Sequence, residues 1–408
     1  MRKNGINREI TEIDGGICAP VGFRANGIHC GFTADENKKD LALVVAERRC
    51  PTACMYSTES KASGPAATTK RHLKYGLARA ILVNSGVANV GMLGGERLAE
   101  MACRVLAASS DVDCNDTIIA STGVVGQPME LSTFEAGMRP LVRGLQATNE
   151  GSLAAAEAIM TTDSYPKHTA FSFELGDFPC KMGVLFKGNL HVCPNMATTL
   201  IFLTTDVNIS SEMLQKALSI CVRDTVNMLV CDGTPSPNDM VCIMANGKAG
   251  NYKISCDDTE FSKFVFFLKK VLFEICRRLT ADCDKQGRVL CCKVTGAKSQ
   301  QTAKAVAKAL VSSSGIRRML SKGENDIERI MYTINGAADL VDFTKMEIAL
   351  EGTGGSLVFY EDSTFMPIEK LHLLKMVEWK EVTLKIALNE GNYSATALGC
   401  IEEKEILS

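Results

Sequence analysis

The stretch "PNMATTLIFLTTD", residues 194–206, sets two threonines directly ahead of a short apolar run. Leu200 to Leu203 reads as a buried β-strand, with Thr198 and Thr199 at its leading edge. Two readings of Thr198 are open. β-Branched residues suit strands, so it can be ordinary strand filling. It can also be a nucleophile, freed when the chain cuts itself just before it. A threonine hydroxyl is a poor nucleophile near neutral pH and needs an adjacent base. A threonine that heads a chain carries that base as its own α-amine, whose pKa of about 7.7–8.0 leaves a useful fraction neutral. An internal amide nitrogen cannot act this way, so cleavage would create the catalytic group.

Other candidate residues say less when read alone. "STGVVG" (121–126) is a strand-ending turn, Lys187 in "FKGN" a surface lysine, and Thr161 a turn cap. "GMLGGE" (91–96) precedes a helix but lacks the G-x-G-x-x-G spacing, and there is no Walker lysine motif. The 17 cysteines form no Cys-x-x-Cys pair; Cys50 and Cys54 are four apart, with no second pair nearby to complete a zinc site. The five histidines include no His-x-x-x-His. Many cysteines, such as Cys221, Cys242 and Cys276, lie in apolar stretches, and reduced buried thiols in a cytoplasmic protein are expected, with neither metal nor cofactor.

The elements that must carry these residues alternate between strand and helix patterns. "ARAILVNSG" (78–86) and "DTIIASTGVVG" (116–126) each read as an apolar strand running into a glycine turn. Between them, Leu98, Met101, Ala102, Val105 and Leu106 give a helical stripe. Leu214, Ala217, Leu218, Cys221 and Val222 give another, with Ser210 or Ser211 as its N-cap. Asp257 and Glu260 are spaced as an N-cap and third helical residue ahead of a long helix through Leu279. Residues 300–315 read as a helix stopped at Gly315, "EGTGGS" (351–356) as a hairpin turn, and "EVTLKIAL" (381–388) as a half-buried antiparallel strand. The chain is therefore α/β or α+β, with a soft boundary in the polar "TADCDKQGR" (280–288).

The composition is that of an ordinary globular protein: 408 residues, 46% hydrophobic, 23% charged and a formal net charge of −2. That near-neutral balance, with no basic stripe interleaved with aromatics, argues against nucleic-acid or membrane-surface partners. The first residues, "MRKNGINREITEIDGG", are too polar for a signal or transit peptide. The most apolar helical run, "FVFFLKKVLF", is broken by Lys269 and Lys270 and is too short to cross a bilayer.

Four stretches in order decide more than any one of them: "GFRANGIHCG" (22–31), "IIASTGVVGQP" (118–128), "AIMTTDSYPK" (158–167) and "PNMATTLIFLTTD" (194–206). "SPNDMVCIMANGKAGN" (236–251) and "GNYSATALGC" (391–400) extend the pattern over nearly the whole chain. It resembles the ornithine acetyltransferase family, also called glutamate N-acetyltransferase, of arginine biosynthesis. The resemblance implies a layered αββα sandwich similar to N-terminal-nucleophile hydrolases, with a smaller C-terminal α+β domain. It implies self-cleavage between Ala197 and Thr198, giving α and β chains that stay together as an α2β2 heterotetramer. On that reading residues 1–197 are the α chain, 198–283 complete the layered core, and 284–408 form the smaller domain. It also implies acetyl transfer from N-acetylornithine to glutamate, with acetyl-CoA open as a further donor. Thr198 would be the nucleophile, Thr122 and Gly123 the donors to its oxyanion, and Thr161, Lys187 and Thr198 substrate contacts. The family's substrate glutamate falls near Asp284.

The departures from the family cluster at the site. Lys-Gly-Ser-Gly-Met-Ile becomes "KGNLHV", with Asn189 and Leu190 in place of the small, flexible pair. Asn-Ser-Gly-Asn-Ala-Asn becomes "NSGVAN", with Val87 losing an amide. "DGTPSPND" gains Pro235 and Pro237, and "DCDKQG" lacks the glycines around Asp284. After "ATALGC" the tail that brings the family's asparagine and its threonine or serine to the substrate has no counterpart in "IEEKEILS". A paralogous N-acyltransferase or amidohydrolase with other substrates, or a non-catalytic relative, is the alternative expectation.

Overall fold

The structure, a computed structural model, describes residues 9–57, 63–189, 199–230, 236–324, 326–338 and 341–402. The chain forms two compact units, the first from residues 1–222 and 234–271, the second from 223–233 and 272–408. The division falls inside one long helix, which explains why no shift in composition marks it. The polar stretch at 280–288 instead spans the end of that helix and the turn into the next strand.

The first unit is organised by one 16-residue strand, β3 (Leu41–Tyr56). β1 is Thr11–Ile13 and β2 is Phe23–Ile28. β3 pairs with β2 and with β4 (Leu77–Asn84) through its first half and with β9 (Met240–Ala245) through its second. Its register shifts between Val45 and Cys50, where Glu47, Arg48 and Arg49 turn outward. This irregularity lets one strand serve two half-sheets. β4 runs parallel to β5 (Thr117–Ser121), joined through helix α2 (Gly95–Ser109). In the other half, β6 (Lys167–Leu175), β7 (Phe178–Lys187) and β8 (Leu200–Thr205) form an antiparallel run, with β1 outside β6. β8 is parallel to β9, with helix α5 (Ser211–Asp224) between them in sequence.

Alternation along the strands builds the layers. Leu41, Leu43, Val45, Ala80 and Leu82 face α2 and α3 (Leu131–Arg143), meeting Ala102, Leu106, Phe134 and Met138. Ala42, Val44, Ile81 and Val83 face the other way and share one interior with Leu185, Leu200, Phe202, Cys242 and Met244. Beyond the second half-sheet lies α6 (Thr259–Cys283), whose Phe267 stacks on Phe173 of β6 at 4.8 Å. Helix, sheet, sheet and helix follow in that order, the sandwich implied by the resemblance. Helix α4 (Asn149–Ile159) enters the same interior through Ala155, Ala156 and Ala158. A Cβ on Gly27 of β2 would lie 2.0 Å from the Ala154 carbonyl oxygen, so that approach requires glycine.

The second unit is a six-stranded sheet in the order β13-β12-β11-β14-β10-β15. Its strands are β10 (Val289–Ala297), β11 (Glu347–Gly352), β12 (Gly355–Glu361), β13 (Thr364–Phe365), β14 (Glu381–Ala387) and β15 (Tyr393–Gly399). Helices α7 (Gln300–Ser312), α8 (Ser314–Lys322) and α9 (Glu328–Ala337) supply Val306, Leu310, Ile316 and Ile330 to a core shared with Leu290, Val294, Ile348 and Leu384. α10 (Lys370–Met376) precedes β14.

Local expectations mostly hold. α5 buries the predicted stripe, and the Met213 N–H donates to Ser210 Oγ, which makes Ser210 its cap. The two-residue turn joins β11 to β12 as the glycine cluster requires. Three expectations are corrected. The cap of α6 is Asp258, whose Oδ1 accepts from Phe261 N–H at 2.9 Å, because the helix starts at Thr259; Asp257, one residue earlier, pairs with Lys216. Gly315 does not stop a helix: α7 ends at Ser312, and Ser313 caps α8, which contains Gly315. The buried face of α2 is Ala99, Ala102, Cys103 and Leu106, so small residues face the sheet and Leu98 and Met101 flank it. Among the described residues no helix is long and apolar enough to cross a membrane.

Candidate active site

β4 and β5 end side by side, and their last residues lock together. The Asn84 side chain accepts from Ser121 Oγ at 2.6 Å and donates to the Val87 carbonyl at 2.9 Å. The Asn84 carbonyl accepts from Thr122 N–H at 3.0 Å. Gly123 follows at φ +130°, and a Cβ there would lie 2.3 Å from the Gly86 carbonyl carbon. No other residue type fits that backbone-to-backbone seat. The two turns are then stitched by Val124 N–H to Gly86 O and Ala88 N–H to Val124 O, each at 3.0 Å. Val87, which replaces an asparagine of the family pattern, is buried between them.

Lys187, the last residue of β7, reaches this corner. Its Nζ donates to Thr122 Oγ1 at 3.1 Å and to Thr161 Oγ1 at 2.6 Å. An ammonium only donates, so Thr122 Oγ1 accepts there and its own hydrogen points elsewhere. Asp163 stands behind the lysine, 3.7 Å from Nζ. It also takes Lys167 Nζ at 2.6 Å and the N–H groups of Gly188 and Thr161 at 2.9 and 3.1 Å. Burial alone would push the Asp163 carboxyl up, but Lys187, Lys167 and the Gly188 N–H hold it well below the usual carboxylate range. Burial pushes the Lys187 ammonium down, against the pull of Asp163. A further cation, Lys38, donates to the Thr161 carbonyl at 3.2 Å.

Lys187 pairs across the sheet with Leu200, the first residue of β8. Thr199, immediately before it, donates its N–H to Asp239 Oδ1 at 2.8 Å, and its carbonyl accepts from Met240 N–H at 3.1 Å. Asp239 Oδ2 accepts from Ser236 N–H at 2.9 Å. Burial pushes the Asp239 carboxyl up to about 6, opposed by those two N–H groups and by Lys187.

Residues 24–402 match the model of the ArgJ family. The chain belongs to the ArgJ family. The arginine biosynthesis bifunctional protein ArgJ of Caldanaerobacter subterraneus subsp. tengcongensis is 31% identical over 390 residues, covering 95% of this chain and 96% of that one. That of Streptococcus thermophilus is 33% identical over 394 residues, with the same coverages. That of Bacillus subtilis is 31% identical over 399 residues, covering 96% and 95%. Among solved structures, ornithine acetyltransferase from Mycobacterium tuberculosis in complex with ornithine is 29% identical, with a TM-score of 0.38 over 40% of this chain and 88% of that chain.

Of the residues singled out in the sequence, Thr122, Gly123, Thr161 and Lys187 meet in one corner of the first unit. Ala197 and Thr198 lie outside the described residues, as does Leu190. Asn189 Nδ2 donates to the Thr162 carbonyl at 2.9 Å, which ties the departure from the family pattern to the loop that carries Thr161. Asp284 lies in the second unit, fully buried. Its oxygens accept from the N–H groups of Gln286, Arg288, Ile401 and Glu402 at 2.6–3.0 Å. All four donors are main-chain groups of the second unit.

Asp163, Asn238 and Asp239 are the residues that sequence reasoning left without a role. The available signal was an acid at the head of a wholly buried strand, "DMVCIMA", where a charge must have a job.

Proposed function

We propose that this ArgJ-family protein is an acetyltransferase that moves an acetyl group from N-acetylornithine to glutamate through acetyl-Thr198, after cutting itself between Ala197 and Thr198. The observation that carries the reading is the convergence of Lys187 Nζ on Thr122 Oγ1 and Thr161 Oγ1, across the sheet from the start of β8.

Thr198 Oγ attacks the acetyl carbonyl carbon while the freed α-amine takes the hydroxyl proton. The carbonyl oxygen becomes an oxyanion, to which the Thr122 hydroxyl and Gly123 N–H donate; losing one such donor typically costs about 2.7–4 kcal/mol of barrier. The amide C–N bond then breaks, and ornithine leaves with the proton from the α-amine. Glutamate enters, its amine attacks the acetyl ester, and Thr198 is regenerated. Lys187 offers its cation to the amino-acid carboxylate, with Thr161 beside it. The two chains stay together as α2β2 in the cytoplasm, and acetyl-CoA is a second donor to be tried.

Mass spectrometry of the Thr198 peptide after incubation with N-acetylornithine tests this. A gain of one acetyl group, discharged by glutamate, is the expected result. Folded, cleaved protein that stays unacetylated sinks it. The Asn189–Thr162 contact favours one other reading, transfer of a different acyl group, and a panel of N-acyl amino acids ranks the donors.

A further inference from the structure

Ser236–Asp239, the segment that leads into β9, grips two parts of the first unit at once. Asn238 is buried, and its Nδ2 donates to the Ala88 carbonyl at 2.7 Å. Ala88 belongs to the turn on which Gly123 is seated. The Asn238 Oδ1 accepts from the hydroxyl of Ser63, itself the N-cap of helix α1 (Gly64–His72). Asp239, the next residue, points elsewhere and holds the Thr199 N–H at 2.8 Å. Thr199 directly follows Thr198 in the sequence. The main chain between the two grips is also fixed: Ser57 N–H donates to the Asp239 carbonyl at 3.0 Å, and Asp239 N–H to the Ser236 carbonyl at 3.1 Å.

We propose that Asn238 and Asp239 are a positioning pair that sets the separation between the Thr122–Gly123 turn and Thr199, the residue next in the chain to the proposed nucleophile. Neither residue touches the acetyl group. Asn238 fixes the side of the site that supplies donors to the oxyanion, and Asp239 fixes the side that supplies the nucleophile. A carboxylate suits the second task, because an anion accepting a main-chain N–H makes a shorter and stronger bond than a neutral acceptor. An amide suits the first, because it must donate to one partner and accept from another. Two adjacent residues are the shortest link able to do both, so a shift at either end is transmitted to the other. A misplacement of about 1 Å in the reacting geometry costs roughly 10²-fold in rate.

This inference rests on Thr198 being the nucleophile, and the experiment separates the two. Full-length Asn238→Asp, Asp239→Asn and the double variant are compared with wild type. The readouts are self-cleavage on a denaturing gel, single-turnover acetylation of Thr198 by N-acetylornithine, and steady-state kcat and KM. Each single variant should cleave and acetylate about 10²-fold more slowly with KM held within about 3-fold. The double variant should be no slower than the slower single, because the pair acts as a unit. Wild-type rates in either single variant, or losses that multiply in the double, overturn the proposal. If Asp239→Asn fails to fold, Asn238→Asp decides alone, since it exchanges one donor at constant volume. A wild-type protein that is cleaved but never acetylated removes the nucleophile reading and this pair's role with it.

Discussion

Lys187 and Asp163 meet at 3.7 Å with both side chains closed to solvent. The carboxylate does more than pair with that lysine. It also holds Lys167 at 2.6 Å and two N–H groups, so one acid organises the cation that faces Thr122 and Thr161.

Removing the two partners should therefore have unequal effects. Asp163→Asn strips the carboxylate from two buried ammoniums, and breaking a buried pair in this way costs about 3–5 kcal/mol. Lys187→Met leaves Asp163 with Lys167 and loses mainly the two threonine contacts, about 1–3 kcal/mol. Urea unfolding midpoints of the two variants check the order. If Lys187 holds the substrate carboxylate as proposed, Lys187→Met should also raise KM for glutamate. Equal losses of stability would mean that Lys167 does not take up the charge.

Asp239 supplies a pH signature. Its folded pKa, about 6, lies above the ordinary value of 3.8, so the folded state holds the proton more tightly. Stability then falls as pH rises from about 4 to about 6 and changes no further above that window; the upper bound is about 3 kcal/mol. Asp163 has the opposite sign, its contribution being present above the ordinary carboxylate range and lost as pH falls through its lowered pKa. Against Asp239→Asn, wild-type protein should lose relative stability between pH 4 and pH 6.5, read from melting temperatures. A constant difference across that window would place the Asp239 pKa near its ordinary value.

How much of this was legible follows from range along the chain. The strands ending at Asn84 and Ser121, the stripe of α5 and the β11–β12 turn read correctly because each is set by its own few residues. Thr122, Thr161 and Lys187 were singled out by motif resemblance; their convergence is a tertiary fact. Asp239 meets Thr199 from 40 positions away and Asn238 meets Ala88 from 150, and no local pattern encodes such partners. The choice between Asp257 and Asp258 as a cap was a one-residue question of where α6 starts, and boundaries are the least legible feature of a sequence.

Gly123 should tolerate no side chain. A Cβ would meet the Gly86 carbonyl at 2.3–2.5 Å, backbone against backbone, at a φ of +130°. Gly123→Ala must either separate the two turns or strain both, and should destabilise the protein by more than about 2 kcal/mol. Acetylation of Thr198 should fall by at least about 10²-fold through the displaced oxyanion donors. A thermal melt with single-turnover acetylation checks both; a variant with wild-type values would mean that the turns are not seated on each other.

Asp284→Asn separates a staple from a substrate ligand. The amide would turn a donor toward two of the four N–H groups now bound, leaving them unsatisfied at about 1–3 kcal/mol each. The expected result is a lower unfolding midpoint with KM for glutamate unchanged. A raised KM at unchanged stability would return this carboxylate to the substrate.

The final expectation concerns the cut itself. Purified protein should run on a denaturing gel as two fragments, Met1–Ala197 and Thr198–Ser408. Thr198 Oγ and the Ala197 carbonyl belong to adjacent residues, so attack is intramolecular and its effective molarity high. The attack still needs a bent scissile peptide, because a planar trans amide resists it. Asn189 is itself held to the Thr162 carbonyl, a reach that serine lacks. Cleavage should therefore be slow or incomplete, and replacing Asn189-Leu190 with Ser-Gly should speed it. Thr198→Ala should abolish the cut and Thr198→Ser retain part of it. If wild-type protein stays one full-length band after days at working temperature, Thr198 never gains its amine base. It would then be a strand residue after all, with Lys187 and Asp163 left as a buried structural pair.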